Sequence, residues 1–164
     1  MPNSQALEND LLKVILEKVA NWAQARSEIL ALALVGSHAR GEAKPESDID
    51  LMFVTSDTEF FRQDCDWLHE ISWENINYKI LKWNDAQYGV VWSRHVYLAN
   101  LTNEFNKELK IEFSFGLPSW ASINPIGLTQ TTYLVVGCCD TLTNFQRSNN
   151  VFSVTHHLSV VTIA

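Results

Sequence analysis

Two aspartates separated by one residue are the clearest candidates for chemistry in this chain. Asp48 and Asp50 open the apolar run Asp48-Ile49-Asp50-Leu51-Met52-Phe53-Val54. Alternate side chains of a strand share a face, so both carboxylates are predicted to project from the same side. Like charges placed side by side destabilise a strand unless a cation lies between them. Carboxylate oxygens suit Mg²⁺, which takes its remaining ligands from water and phosphate groups.

A glycine–serine turn precedes the two aspartates. Gly36 and Ser37 follow the apolar segment Ile29–Val35, and a short helix is predicted to begin near Ser37. The first N–H groups of a helix have no partner within the helix, so they are available to an anion such as phosphate. Phosphate donors on one side and paired metal ligands on the other predict a site for a nucleoside triphosphate.

This arrangement resembles the nucleotidyltransferases of the DNA polymerase β superfamily, in particular its small bacterial members. In this chain Val35-Gly36-Ser37 is followed by residues 38–47 and then by Asp48-Ile49-Asp50, which matches the family pattern in spacing and turn type. Arg40-Gly41 and Ser47 also stand where small members have Arg-Gly and Ser. The resemblance implies an α/β fold of the α+β kind, with a mixed β-sheet flanked by helices.

The resemblance also implies a reaction, the attack of an acceptor hydroxyl on the α-phosphate of a nucleoside triphosphate with release of pyrophosphate. Asp48 and Asp50 would hold two Mg²⁺ ions together with the bound nucleotide. A later strand normally supplies a third acid, and Glu112 is the best candidate because it lies on the polar face of the alternating segment 109–115. Glu112 would complete the second metal site and receive the hydroxyl proton. The alternative is a solvent-facing Glu112 paired with Lys110 or another neighbouring cation.

The phosphates would be bound by residues around the glycine–serine turn. Gly36 lets the backbone approach the phosphates without a Cβ clash. The N–H group and hydroxyl of Ser37 would bind the β- and γ-phosphates. Arg40 would either neutralise phosphate charge or form a salt bridge to Glu42 or Glu46, and the sequence favours neither interpretation.

Four other polar residues have weaker interpretations. Ser47 is expected to orient Asp48 or to cap its turn rather than to touch the substrate. Arg94 and His95 lie on opposite faces of one predicted strand, so at most one of them can face the pocket. Arg94 is preferred as a phosphate contact, and His95 is interpreted as a structural histidine. His38 would point at solvent or at the nucleotide, and solvent is the preferred interpretation.

Composition restricts the partners of such a site. The chain has 164 residues, a formal net charge of −7 and 46% apolar residues, which predicts one globular domain. An acidic protein is not expected to bind long nucleic acid, because that affinity comes largely from Lys and Arg. A small-molecule or protein acceptor fits better. An antibiotic acceptor would require a homodimer, because the chain leaves little room for a second domain.

Cysteine usage and the N-terminal segment predict a cytoplasmic protein. The three cysteines, Cys65, Cys138 and Cys139, have no spacing typical of a disulfide framework or a zinc site. Reduced thiols in a cytoplasm are therefore expected. Residues 1–28 contain four acids and no apolar core of the kind a signal peptide needs. No segment is apolar over the length that a membrane span requires, so no membrane partner is expected.

Hydrophobic periodicity predicts the elements that position these residues. Apolar residues at helical spacing predict an amphipathic helix over residues 5–26 that covers one face of the sheet. A second helix is predicted over residues 58–67, after an N-cap at Asp57, with an exposed acidic face. Strands are predicted over residues 29–35, 49–54, 73–82, 90–98, 109–115 and 132–136.

The composition changes from Trp120 onward. Beyond this residue Asp140 and Arg147 are the only Asp, Glu, Lys or Arg. We assign residues 1–136 to the nucleotidyltransferase domain and residues 137–164 to a C-terminal tail that belongs to the same domain or packs loosely. Residues 149–164 are expected to form an edge strand or a loose tail. Another interpretation is an altered C-terminus, such as a frameshift would produce.

Three functions are compatible with these observations. The first is a Mg²⁺-dependent nucleotidyltransferase that moves a nucleoside monophosphate, expected to be AMP, onto a hydroxyl of a small molecule or protein. The second is a nucleotidyltransferase-like antitoxin that binds or adenylylates a helical ribonuclease toxin. The third is a domain that keeps the fold and has lost activity, which the intact glycine–serine turn and paired aspartates disfavour.

Overall fold

A mixed seven-stranded β-sheet is the centre of the described part of this protein. The computed structural model describes residues 4–102, 108–121, 131–137 and 159–163, with side chains for residues 9–102 and 108–119. The helices are α1 (Ser4–Gln24), α2 (Gly36–Arg40), α3 (Thr58–Gln63) and α4 (Trp67–Glu70). The strands are β1 (Ile29–Val35), β2 (Ile49–Thr55), β3 (Tyr78–Tyr88), β4 (Val91–Asn100), β5 (Glu108–Gly116), β6 (Thr131–Gly137) and β7 (Ser159–Ile163). In space they follow the order β3-β4-β5-β2-β1-β6-β7.

The pairing of β2 with β5 is parallel, and every other neighbouring pair in the described sheet is antiparallel. The parallel pair joins strands that are distant in the chain, and its register sets Ile49 beside Ile111 and Asp50 beside Glu112. A mixed sheet flanked by helices confirms the predicted fold class.

One face of the sheet carries the hydrophobic core. The side chains of Phe53, Phe113 and Phe115 are stacked side by side on adjacent strands, and all three are fully buried. Trp22 of α1 and Trp67 of α4 cover this layer from the helical side. Each buried aromatic side chain contributes about 2–3 kcal/mol from removal of apolar area from water. This packed layer therefore fixes the positions of β2 and β5, and with them the side chains on the other face of the sheet.

The opposite face carries polar side chains where the core face carries phenylalanines, because side chains alternate along each strand. On β5 the alternating set is Lys110, Glu112 and Ser114, and on β4 it includes Ser93 and His95. We call this the polar face, defined by these five residues together with Asp50 of β2. Two of the three acids considered above for catalysis, Asp50 and Glu112, lie here.

Most predicted elements are confirmed, and two need correction. The predicted strand over residues 73–82 begins only at Tyr78, because residues Trp73–Ile76 form a 3₁₀ turn. Positive φ angles at Ser72 and Asn77, 56° and 61°, bound this turn, and Asn adopts such angles more readily than most residues. The buried Trp73 indole donates a hydrogen bond to a backbone oxygen and holds the turn against the core.

The helix predicted over residues 58–67 is divided into α3 and α4. Asp57 caps α3 as predicted, because its Oδ1 accepts the N–H groups of Glu59 and Phe60 at 3.0 and 3.1 Å. The helix stops at Asp64, whose backbone is extended. The segment has a buried side as well as the expected exposed one, because Phe61 is fully buried.

The C-terminal strands extend the sheet beyond β1. β6 pairs with β1, and β7 pairs with β6 at the edge, which confirms the strand predicted over residues 132–136 and the edge strand expected near the end of the chain. The cysteines Cys138 and Cys139 lie outside the described residues. The division into a domain and a tail after residue 136 stays a prediction. None of the helices in the described residues has the length and apolar character to cross a membrane.

Candidate active site

The turn at Gly36 is shaped around the carboxylate of Asp50. β1 ends at Val35, which lies opposite Asp50 in the antiparallel pairing with β2. Gly36 has a φ of 71°, a left-handed conformation that glycine adopts without penalty. A Cβ atom at Gly36 would lie 2.0 Å from Oδ2 of Asp50. Glycine is therefore needed here to leave room for a carboxylate, a reason that the sequence did not reveal.

The three predicted acids influence one another electrostatically. Asp50 lies beside Glu112 in the parallel register of β2 and β5. Burial, and then the negative charges of Glu112 and Asp48, raise the pKa of Asp50 from 3.8 to about 6, even though Lys110 and Arg40 act in the opposite direction. Such a carboxyl group lacks sufficient positive charge around it, which is the condition that a bound cation would relieve.

Asp48 has a cationic partner. Nζ of Lys110 lies 2.6 Å from Oδ2 of Asp48, and both side chains are partly buried. The hydrogen bond to Asp48 raises the pKa of Lys110 above its ordinary value. Asp48 stands one residue before β2, which begins at Ile49 as predicted. The alternative pairing of Lys110 with Glu112 is wrong, because Lys110 bonds to Asp48.

Both carboxylate oxygens of Glu112 are held by neighbours on the polar face. The hydroxyl of Ser114 donates to Oε1 at 3.2 Å, and Nε2 of His95 lies 3.3 Å from Oε2. Ser93 and Ser114 join their hydroxyls at 2.7 Å, and the Tyr88 hydroxyl lies 3.4 Å from Nε2 of His95. Glu112 is thus a partly buried acid, so its interpretation as a solvent-facing residue is wrong, whereas the predicted pairing with another neighbouring cation is met by His95 when its ring is protonated.

Arg94 does not face the site, which corrects the sequence-based preference. Its guanidinium forms two hydrogen bonds to the Asp85 carboxylate, at 2.8 and 3.0 Å, and donates to the backbone oxygens of Arg62 and Asp64. Only 4% of its side chain is exposed. His95 lies opposite Glu112 and therefore on the polar face. Because successive side chains of a strand point to opposite faces, Arg94 lies on the core face. The register of β4 with β5 would have identified His95 as the residue facing the site. No short stretch of sequence contains that register, so sequence reasoning missed His95.

The remaining predicted residues lie around the turn after β1. Nε of Arg40 is 2.9 Å from Oε2 of Glu42, so the salt bridge is the interaction present. Ser47 caps its turn as predicted, since its hydroxyl accepts the N–H group of Lys44 at 2.8 Å. The expectation that His38 points at solvent is wrong for Nε2, which is buried without a hydrogen-bond partner in the part of the chain described. Ser37 lies in the first turn of α2. The N-cap residue of this helix is Val35, whose side chain makes no capping hydrogen bond.

The donor set fits a divalent cation in its chemistry. Asp48, Asp50 and Glu112 supply only oxygen ligands, as Mg²⁺ prefers, and the raised pKa of Asp50 reflects excess negative charge. In the described residues, no three His, Cys, Asp or Glu side chains are gathered in a way that could hold a metal ion. Asp48 is hydrogen-bonded to Lys110 instead, and the three acids are neighbours that do not form a complete ligand set in the described residues.

Comparison with known proteins identifies a family domain in this chain. Residues 17–97, about half of the chain, match the family described as polymerase beta, nucleotidyltransferase, whose members generally use divalent metal ions. The matched segment contains Gly36, Ser37, Asp48 and Asp50 and ends before Glu112, so the family match does not extend to Glu112. Comparison with curated proteins found no match. The matched domain and its mixed sheet place this chain in the polymerase β-like nucleotidyltransferase superfamily.

Proposed function

We propose that this protein is a Mg²⁺-dependent nucleotidyltransferase that moves a nucleoside monophosphate, expected to be AMP, from a nucleoside triphosphate to a hydroxyl group. The observation that carries the proposal is the pairing of Asp50 with Glu112 beside Gly36, with Asp48 close enough to raise the pKa of Asp50. Carboxyl groups with a pKa raised by burial and by neighbouring acids are characteristic of functional sites.

In this reaction the acceptor oxygen bonds to the α-phosphorus and the bond to pyrophosphate breaks. Bound Mg²⁺ ions would supply charge neutralisation at the phosphates, with Asp48, Asp50 and Glu112 as their protein ligands. Glu112 would also accept the hydroxyl proton. The contacts of Glu112 with Ser114 and His95 support this role, because they hold the carboxylate in one orientation.

The phosphates would bind at the start of α2. Val35 occupies the N-cap position without a capping side chain, so the first N–H groups of the helix are not bonded by that residue. Ser37 would add its N–H and hydroxyl there, and Gly36 would allow close approach. Arg40 could leave Glu42 for a phosphate at small cost, because an exposed salt bridge contributes only about 0–1 kcal/mol.

The acceptor and the assembly of the protein remain proposals. The net charge of −7 favours a small molecule or a protein over long nucleic acid. A homodimer would complete the acceptor pocket if the acceptor is an antibiotic. A cytoplasmic location stays a prediction from the cysteines and the N-terminal segment.

Nucleotide titration tests the proposed function. ATP, GTP, CTP and UTP would be titrated calorimetrically with Mg²⁺ into wild type, Asp50→Asn and Asp10→Asn. Asp10 is an exposed residue of α1, so its variant controls for the loss of one negative charge. We expect Mg²⁺-dependent binding of one nucleotide by wild type and Asp10→Asn, and its loss in Asp50→Asn. Folded wild-type protein that binds none of the four would refute the proposal.

A further inference from the structure

The charges at the junction of β2 and β5 form two different pairs. Asp50 lies beside Glu112, a pair of like charges. Two residues earlier on each segment, Asp48 bonds to Lys110, a pair of opposite charges. The ammonium group therefore places a positive charge of the chain in direct contact with one of three clustered carboxylates, while Arg40 acts on Asp50 without a hydrogen bond to it.

This ion pair is more than a surface contact. The Nζ–Oδ2 distance of 2.6 Å is short for a charge-assisted hydrogen bond, and only 25% of the Lys110 side chain is exposed. The bond uses one oxygen of the carboxylate that should hold metal. Lys110 and a divalent cation would thus compete for Asp48, because two cations in contact with one carboxylate repel each other.

We propose that Lys110 is an internal counter-ion that occupies the cation position at Asp48 in the metal-free protein and must leave Asp48 when a divalent metal ion binds. The inference rests on the proposed function, since it assumes that Asp48, Asp50 and Glu112 form a metal site. It explains why these three acids are adjacent without forming a complete ligand set in the described residues. In the metal-free protein the ammonium offsets part of the repulsion among the carboxylates.

A purely structural role for Lys110 makes a different prediction. If the lysine only joined β5 to the segment before β2, its removal would loosen the site and weaken metal binding. If it competes with metal, its removal should strengthen metal binding, even though the metal-free protein loses an ion pair. The sign of the change in metal affinity separates the two roles.

The test measures Mn²⁺ binding directly, by calorimetry and by electron paramagnetic resonance of free Mn²⁺, without nucleotide or acceptor. Lys110→Met removes the charge and keeps most of the side-chain volume, and Lys110→Arg keeps the charge. Lys82→Met is the matched control. Lys82 is an exposed residue of β3 whose ammonium lies over the Tyr97 ring and 3.9 Å from Oε1 of Glu108, so its loss changes the net charge by the same amount at a different place.

We expect Lys110→Met to bind Mn²⁺ about tenfold more tightly than wild type, since removal of a nearby unit charge is worth on the order of one power of ten in affinity. Lys110→Arg and Lys82→Met should remain within about twofold of wild type. In the presence of EDTA, Lys110→Met should melt below wild type, and Mn²⁺ should raise its melting temperature more. Lys110→Gln provides a second charge-free variant if Lys110→Met does not melt cooperatively.

Equal or weaker Mn²⁺ binding by the charge-free variants, with wild type still binding Mn²⁺, would overturn the inference and leave the proposed function intact. The same holds if Lys82→Met gains as much affinity as Lys110→Met, because the effect would then be one of net charge. Failure of every folded variant to bind Mn²⁺, alone or with ATP, would overturn the proposed function together with the inference.

Discussion

Replacing Asp50 by asparagine is expected to stabilise the metal-free protein while abolishing nucleotide binding. The pKa of Asp50 is raised from 3.8 to about 6, mainly by burial and then by Glu112 and Asp48. An acid with a raised folded-state pKa favours folding below its unfolded pKa, and this contribution is lost as pH rises through about 6. At neutral pH the ionised Asp50 therefore destabilises the fold, and the neutral amide of asparagine removes this cost.

The size of the effect follows from the shift in pKa. A change from 3.8 to about 6 corresponds to about 3 kcal/mol at about 1.36 kcal/mol per pKa unit. Asp50 is partly exposed, and screening by solvent reduces such an energy several-fold, which leaves about 1 kcal/mol. For a chain of this length, we expect a rise in melting temperature of about 3 °C.

The assay is thermal and urea denaturation in EDTA, at about pH 8 and at about pH 4, on opposite sides of the folded-state pKa. Wild type, Asp50→Asn and the exposed control Asp10→Asn would be compared at both values. The gain of Asp50→Asn over wild type should be present at the higher pH and absent at the lower pH. Added Mg²⁺ should stabilise wild type and leave Asp50→Asn unchanged.

Two results would refute this reasoning. A gain of the same size at both pH values would mean that asparagine packs better and that the charge of Asp50 is irrelevant. A loss of stability at the higher pH would mean that the Asp50 carboxylate makes favourable contacts in the metal-free protein. In either case the three acids would not form an electrostatically strained site.

Two further substitutions test the geometry of the site. Gly36→Ala should destabilise the protein by about 2–3 kcal/mol and abolish metal–nucleotide binding, because its Cβ would displace the Asp50 carboxylate. Gly41→Ala is the control, because Gly41 has a similar φ of 70° but no atom within 4 Å of an added Cβ. This variant should lose stability through backbone strain alone and keep metal–nucleotide binding. Equal loss of binding in both variants would contradict the proposed clash between a Cβ at position 36 and Asp50. Arg94→Met should lower the free energy of unfolding by about 2 kcal/mol, measured by urea denaturation, since it leaves two backbone oxygens and the partly exposed Asp85 carboxylate without their donor. Calorimetry should find its nucleotide affinity unchanged, and a selective loss of affinity in the stable protein would restore Arg94 as a phosphate contact. The exposed Arg62→Met is the control for loss of a positive charge.

The sequence by itself determined the local elements and the identity of the main acids. The apolar run Ile29–Val35, the glycine–serine turn and the paired aspartates are local patterns, and each is recovered in β1, α2 and the start of β2. Periodicity also predicts α1 and β5, because a buried face repeats at short intervals along the chain. Glu112 was identified in this way, as an acid in the alternating pattern of a strand.

Only the tertiary structure decided which residues meet across the sheet. The choice between Arg94 and His95 depends on the register of β4 with β5, which sets His95 beside Glu112. The pairing of Asp48 with Lys110 depends on the parallel register of β2 with β5, between residues far apart in sequence. Register is set by the packing of the whole core face, and a shift of one residue would exchange the two faces of a strand. No local pattern contains that information, so the sequence identified the acids, and the packed sheet decided their partners.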